Sequence, residues 1–161
     1  IKIALDLGLD KKLIIRTIPK IRFEARIQYL DKGKIAKRLK NKERLLIDGC
    51  HSETSALNLA NYLKTLQIPI YGIWSMTKNK DPNKFISKFK GLFKKIITIP
   101  IENENASLSN KLLFKIAKQN NFNTELAANF DDALKKISSK QNKIICVFGS
   151  LYLCASVLNK N

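Results

Sequence analysis

The chain has little of what most metal or redox sites require. Among 161 residues there is one histidine, one methionine, one tryptophan and three cysteines. A single histidine excludes a metal centre built on several imidazoles, and neither cysteine pairs nor an EF-hand loop are present. Cys50, Cys146 and Cys154 are odd in number and lack metal-type spacing. They read as reduced, packed thiols of a cytoplasmic protein. None of the six glycines falls in a GxxxxGK[ST] or GxGxxG pattern, so this chain alone lacks the usual cradle for a triphosphate. No apolar run approaches the roughly 20 residues that cross a bilayer, and no signal peptide is visible at the start. Repeats and low-complexity segments are absent. The first residue is Ile1, not Met, which fits a fragment of a longer protein.

Acidic residues are also scarce. Thirteen Asp and Glu stand against thirty Lys and Arg, for a formal net charge of +17. Such a charge attracts polyanions, and nucleic acid is one candidate partner. Against it, the lysines are spread over the whole chain and do not gather on one element. The densest basic run, Lys32 to Arg44, reads as a solvated loop or edge. Hydrophobic residues make up 45%, enough for one globular domain with a core of its own.

The stretch from Arg44 to Leu66 organises the rest. The apolar run Leu45-Leu46-Ile47 reads as a buried strand and gives way abruptly to Asp48, Gly49, Cys50 and His51. Ala56, Leu59, Ala60, Leu63 and Leu66 then recur at helical spacing. Ser52 is placed to cap that helix. Asp48 and His51 therefore lie between the carboxyl end of a strand and the amino end of a helix. Ligands of open α/β sheets bind in such crevices, and free N–H groups there favour anions. Taken singly, Asp48 is equally a turn residue and His51 a helix-start residue. A Cys50–His51 nucleophilic dyad is dismissed, because neighbouring side chains at a strand end diverge and no third group orients them.

Around this centre the pattern alternates. Residues 1–21 read as two short helices without a core, the first stopped by Gly8, and suggest the tail of a preceding domain. Arg22 to Leu30 alternates, with Phe23, Ala25, Ile27 and Tyr29 on one side and Arg26 on the other, which predicts a strand; Asp31 to Gly33 turns. Further strands are expected over Ile68–Trp74, Ile96–Ile101 and Asn142–Phe148. Pro100 marks an ending strand. Helices are expected over Asn83–Phe93, Leu108–Ile116, from a Thr124 cap through Ile137, and over Leu151–Leu158. Alternating strands and helices mean βαβ units and a mainly parallel sheet. Right-handed crossovers then bring Asp48–His51, Ser75–Asp81 and Gly149–Ser150 to one rim.

The order of these motifs carries a resemblance. LLIDGCHSETSA resembles the D-G-A-H-N-P-x-S-A signature of the folylpolyglutamate synthase/dihydrofolate synthase family. CVFGSLYLCASVL is similar to that family's V-x-G-S-L-Y-L-V-G-E-V-L ending. RFEARIQ is similar to its W-P-G-R-x-E stretch, and Asn79-Lys80-Asp81 to its D-K-D. The resemblance implies an α/β, Rossmann-like three-layer domain of Mur ligase type, mainly parallel with one antiparallel edge strand. It implies that residues 22–161 are the carboxy-terminal domain, and residues 1–21 the tail of an ATPase domain acting in cis.

In the family, L-glutamate is joined to dihydropteroate or a folate. ATP phosphorylates the acceptor carboxylate and the glutamate nitrogen displaces phosphate. The resemblance implies ATP-binding roles for Arg26 and Asp48 and places His51 and Ser150 toward the substrates. The P-loop and magnesium ligands are expected in the upstream domain. Departures stand at Ser52-Glu53 for Asn-Pro, Ala155-Ser156 for Gly-Glu, and Phe23-Glu24-Ala25 for Trp-Pro-Gly. Glu53 adds a negative charge near the expected glutamate site. Two alternatives remain open at this point: a basic module binding nucleic acid, and a nucleotide-binding domain without catalysis.

Overall fold

A computed structural model describes residues 2–21 and 23–161. Ile1 and Arg22, the first positions of the expected tail and of the expected first strand, lie outside the described residues. Two short helices, α1 (Lys2–Asp6) and α2 (Lys11–Thr17), open the chain, and a 3-10 turn follows at Ile18–Lys20. Gly8 takes a φ of 76° after α1, the left-handed conformation that ends a helix most cheaply at glycine. Within α1 and α2 only Ile14 is buried among the described residues, while Ile3, Leu13 and Ile15, and Leu7 just after α1, face solvent.

The rest forms a six-stranded sheet in the order β1-β2-β6-β3-β4-β5. Its strands are β1 (Gln28–Tyr29), β2 (Glu43–Asp48), β3 (Ile70–Trp74), β4 (Phe93–Thr98), β5 (Thr124–Leu126) and β6 (Lys143–Phe148). All neighbours pair in parallel except the edge strand β1, which runs antiparallel to β2. The helices are α3 (Glu53–Lys64), α4 (Pro82–Ser87), α5 (Asn110–Gln119), α6 (Phe130–Ile137) and α7 (Leu151–Lys160).

Period-two alternation divides the strands between two cores. Leu46, Ile96, Ile144, Cys146 and Phe148 point to one face, which α3, α4 and α5 cover. Leu45, Ile47, Ile97, Ile145 and Val147 point to the other, which α6 and α7 cover. The first core centres on aromatic rings, with Phe93 stacked on Phe148 at 4.9 Å and Phe89 set edge-on to Phe148 at 5.0 Å. The fold is thus the three-layer, mainly parallel sheet with one antiparallel edge strand that the sequence implied.

Four expected elements differ. Residues 23–27 are not strand: Ala25 and Ile27 have φ of 53° and 44°, and β1 begins only at Gln28. The helix expected over Asn83–Phe93 ends at Ser87, and Phe93 opens β4. Thr124 does not cap a helix but starts β5; Asn129 caps α6 instead, accepting from the Asp132 N–H at 2.9 Å. β4 stops at Thr98, two residues before Pro100.

Candidate functional site

Because β2, β6 and β3 are parallel neighbours, their carboxyl ends share one rim. Asp48 and Phe148 are register partners, as are Trp74 and Phe148. The turns leaving the three strands therefore start side by side, as the alternation predicted. Two glycines let them approach. Gly149 has a φ of 104°, and a side chain there would run into the Ser75 carbonyl oxygen and the Trp74 indole. A side chain at Gly49 would run into Leu151 and come within 2.9 Å of Arg26 Nη1. Gly49 is thus the point where the Arg26 arm, the end of β2 and the start of α7 meet.

Asp48 is only 5% exposed. Its carboxylate accepts the Ile27 N–H on Oδ2 and the Cys50 N–H on Oδ1, both at 2.8 Å. These bonds hold the arm from one side and the turn toward α3 from the other. Arg26 itself is exposed, and its Nη1 donates to the Ala25 carbonyl at 3.1 Å. A guanidinium presents a rigid fork of donors that suits phosphate oxygens.

His51 is half-buried. Its Nδ1 lies 2.9 Å from the Gly49 carbonyl. A carbonyl only accepts, so Nδ1 donates this bond, and in the neutral tautomer that makes it Nε2 is the acceptor. Ser52 caps α3 as the sequence predicted, accepting from the Ser55 N–H at 3.2 Å. Ser55 completes the box, with its Oγ accepting from the N–H groups of Ser52 at 3.0 Å and His51 at 3.1 Å. Ser150 is buried and caps α7, its Oγ accepting from the Tyr152 N–H at 3.1 Å. Two helices, α3 and α7, thus begin at this rim, and their amino termini contribute positive potential to it.

Asn79, Lys80 and Asp81 lead away from this centre. Lys78 N–H donates to the Ala106 carbonyl and Leu108 N–H to the Met76 carbonyl, so the loop after β3 runs toward the segment before α5. Asp81 caps α4 through the Asn83 and Lys84 N–H groups. Cys50 is no nucleophile here: burial, and then the adjacent Asp48 charge, push its thiol well above the ordinary range. Among the described residues, no three His, Cys, Asp or Glu side chains gather to hold a metal ion.

A cavity of about 540 Å³ opens beside the arm, lined by Ile21, Phe23, Glu24, Arg26, Gln28 and Tyr29 among others. Tyr29 is fixed at its back. Its hydroxyl bonds that of Tyr62 at 3.1 Å, and the Arg44 guanidinium lies 3.9 Å over its ring. Residue-by-residue reading missed Gln28, Gly49 and Ser55, whose roles arise only from contacts across the fold. The one signal in the sequence was that Gln28 occupies the last position of the R-x-E pattern.

Residues 29–160 match the family model described as "Dihydrofolate synthetase, C-terminal domain". The chain belongs to this family. Arg26 lies just outside the matched span, on the arm that leads into it. Solved structures share the fold over more of the chain. Mycobacterium tuberculosis folylpolyglutamate synthase complexed with ADP superposes with a TM-score of 0.81 over 97% of this chain, at 16% identity. Escherichia coli FolC in complex with DHPP and ADP gives 0.73 over 94% at 17% identity. Thermotoga maritima folylpolyglutamate synthase gives 0.69 over 94% at 23% identity. This domain spans only 36%, 34% and 33% of those chains. No curated protein matches it by sequence. Family membership does not favour the nucleic-acid alternative. No described helix is long and apolar enough to cross a membrane.

Proposed function

We propose that this chain is the carboxy-terminal domain of an ATP-dependent ligase that adds L-glutamate to dihydropteroate or a folate. The observation that carries the reading is the convergence of Arg26, Asp48, His51 and Ser150 on one rim of the sheet. The solved relatives carry ADP, DHPP, nucleotide analogues with manganese, or L-glutamate, which supports nucleotide and amino-acid partners for this domain too. In this reading Arg26 contacts the phosphates when the domains close. Asp48 accepts ribose hydroxyls on the lone pairs its two backbone donors leave free. His51 and Ser150 face the incoming glutamate.

ATP, when bound, supplies the phosphoryl group that turns the acceptor carboxylate into an acyl phosphate. The glutamate nitrogen attacks that carbonyl carbon, a C–N bond forms, the C–O bond to phosphate breaks, and the amine loses a proton. His51 Nε2 is an acceptor of the right kind for that proton. Closure of this domain shields the acyl phosphate from water. Since no cluster among the described residues suits a metal, magnesium is assigned to an upstream ATPase domain and no step is routed through it here. Residues 1–21 are proposed as the tail of that domain, because the apolar side chains on α1 and α2 lack a core of their own, as surfaces that meet a partner do.

The test is reconstitution. The 161-residue chain alone should neither hydrolyse ATP nor form the amide. Joined to its upstream sequence it should add labelled glutamate, and Arg26→Ala should raise KM for ATP by tenfold or more. An assembled protein that ligates nothing, or an Arg26→Ala variant with an unchanged KM, refutes the assignment.

A further inference from the structure

Arg26 sits on a turn held by side chains to which the ligase reading gives no such task. Ala25 and Ile27 on either side of it both adopt left-handed backbone, a conformation non-glycine residues take only when their surroundings impose it. Three bonds impose it here. Gln28 Oε1 accepts the Ala25 N–H at 2.8 Å. Asp48 Oδ2 accepts the Ile27 N–H at 2.8 Å. Gly49 N–H donates to the Ala25 carbonyl at 2.8 Å, the same oxygen that receives Arg26 Nη1. Gln28 is itself anchored, since it pairs with Ile47 at the start of β1. The amides before and after Arg26 are therefore both tied by side-chain oxygens to the sheet, while the Arg26 side chain is exposed.

We propose that Gln28, together with Asp48, is a positioning residue: the two side chains clasp the turn at residues 25–27 and thereby fix where the Arg26 guanidinium is presented. Asp48 then acts on the nucleotide partly through Arg26, and Gln28 wholly so. The inference rests on the nucleotide role proposed for Arg26.

The clasp has a direct readout and a functional one. In the 161-residue chain, Gln28→Ala should speed hydrogen exchange of the Ala25 amide at least fivefold, roughly the worth of one neutral hydrogen bond. Gln28→Glu keeps an acceptor oxygen and should restore protection. Amides of β3 and β6 serve as the control for global stability. In the protein joined to its upstream domain, Gln28→Ala should raise KM for ATP with little change in kcat. Combined with Arg26→Ala it should add nothing further, because both changes remove one interaction. Unchanged exchange at Ala25, or additive effects on KM, overturns the proposal. If Arg26→Ala itself leaves KM unchanged, the nucleotide reading fails on that result alone, and the exchange data still decide the clasp.

Discussion

At the scale of single residues, the arm is built against local preference. A left-handed alanine costs about 1 kcal/mol relative to glycine, and Ile27 with its branched β-carbon is less suited still. The resemblance aligns Ala25 with a family glycine, so the backbone keeps a glycine-like conformation without the glycine. Ala25→Gly should therefore raise stability by up to about 1 kcal/mol, the relief of φ at 53° exceeding the extra freedom given to the unfolded chain. Urea denaturation followed by circular dichroism would measure it. A clear loss of stability would mean that burial of the Ala25 methyl outweighs the strain. This conformation was illegible in the sequence. The alternation of Phe23, Ala25, Ile27 and Tyr29 has the period of a strand, yet the hydrogen bonds that the Ile27 and Ala25 N–H groups donate to Asp48 and Gln28 select another backbone, and Phe23 ends up 71% exposed.

At the scale of elements, legibility followed the source of each element's stability. β2, β6 and α3 were plain because an apolar run, or a capped amphipathic repeat, carries its own signal. The limit of α4 was hidden because Phe85, Phe89 and Phe93 keep helical spacing after the helix has ended; all three enter one core from a helix, a turn and a strand. β5 has no apolar run at all and is ordered by pairing with β4. The buried pair at the opposite end of β2 and β6 was equally hidden. Glu43 and Lys143 are register partners, their side chains 0% and 2% exposed, with Lys143 Nζ 3.8 Å from Glu43 Oε1. Glu43 also accepts from Lys40 N–H, Ser138 Oγ and Ser139 N–H, and Lys143 donates to the Ile137 carbonyl. Together they fasten the turn after α6 to the foot of the sheet. Burial holds the Lys143 ammonium below the usual lysine range, against the pull of Glu43. Lys143→Met should cost about 3 kcal/mol, because it strands a buried carboxylate. Chemical denaturation would show a fall in midpoint; a neutral result would mean that Glu43 takes up a proton at little cost.

At the scale of the whole molecule, the charge pattern was legible as composition and silent as function, whereas the convergence of turns on one rim followed from strand order. Stability at alkaline pH is likewise a property of the assembled core. Cys50 and Cys146 are held well above the ordinary thiol value by burial, and Cys154 is pushed up to about 12 by burial and then by Asp48. Unfolded thiols ionise near 8.5, while the folded ones keep their protons. Their contribution is complete below that pH and is lost as pH rises through the folded values, at about 1.4 kcal/mol per pH unit for each thiol. Lys143 acts in the opposite sense just below the normal lysine value, but it is one group against three. Under reducing conditions the urea midpoint should therefore fall between pH 8 and pH 10. A flat or rising profile would contradict the raised thiol values.

The position of β6 in the strand order carries a further consequence. It comes last of the strands in the chain, yet it lies between β2 and β3 and joins the two halves of the sheet. While the protein is being made, the β1–β2 pair and the β3–β4–β5 group have no common neighbour until residues 143–148 leave the ribosome. Each half must wait with an open, apolar strand edge. The nascent chain is therefore most exposed to aggregation, and most in need of a chaperone, in the interval just before its final strand emerges.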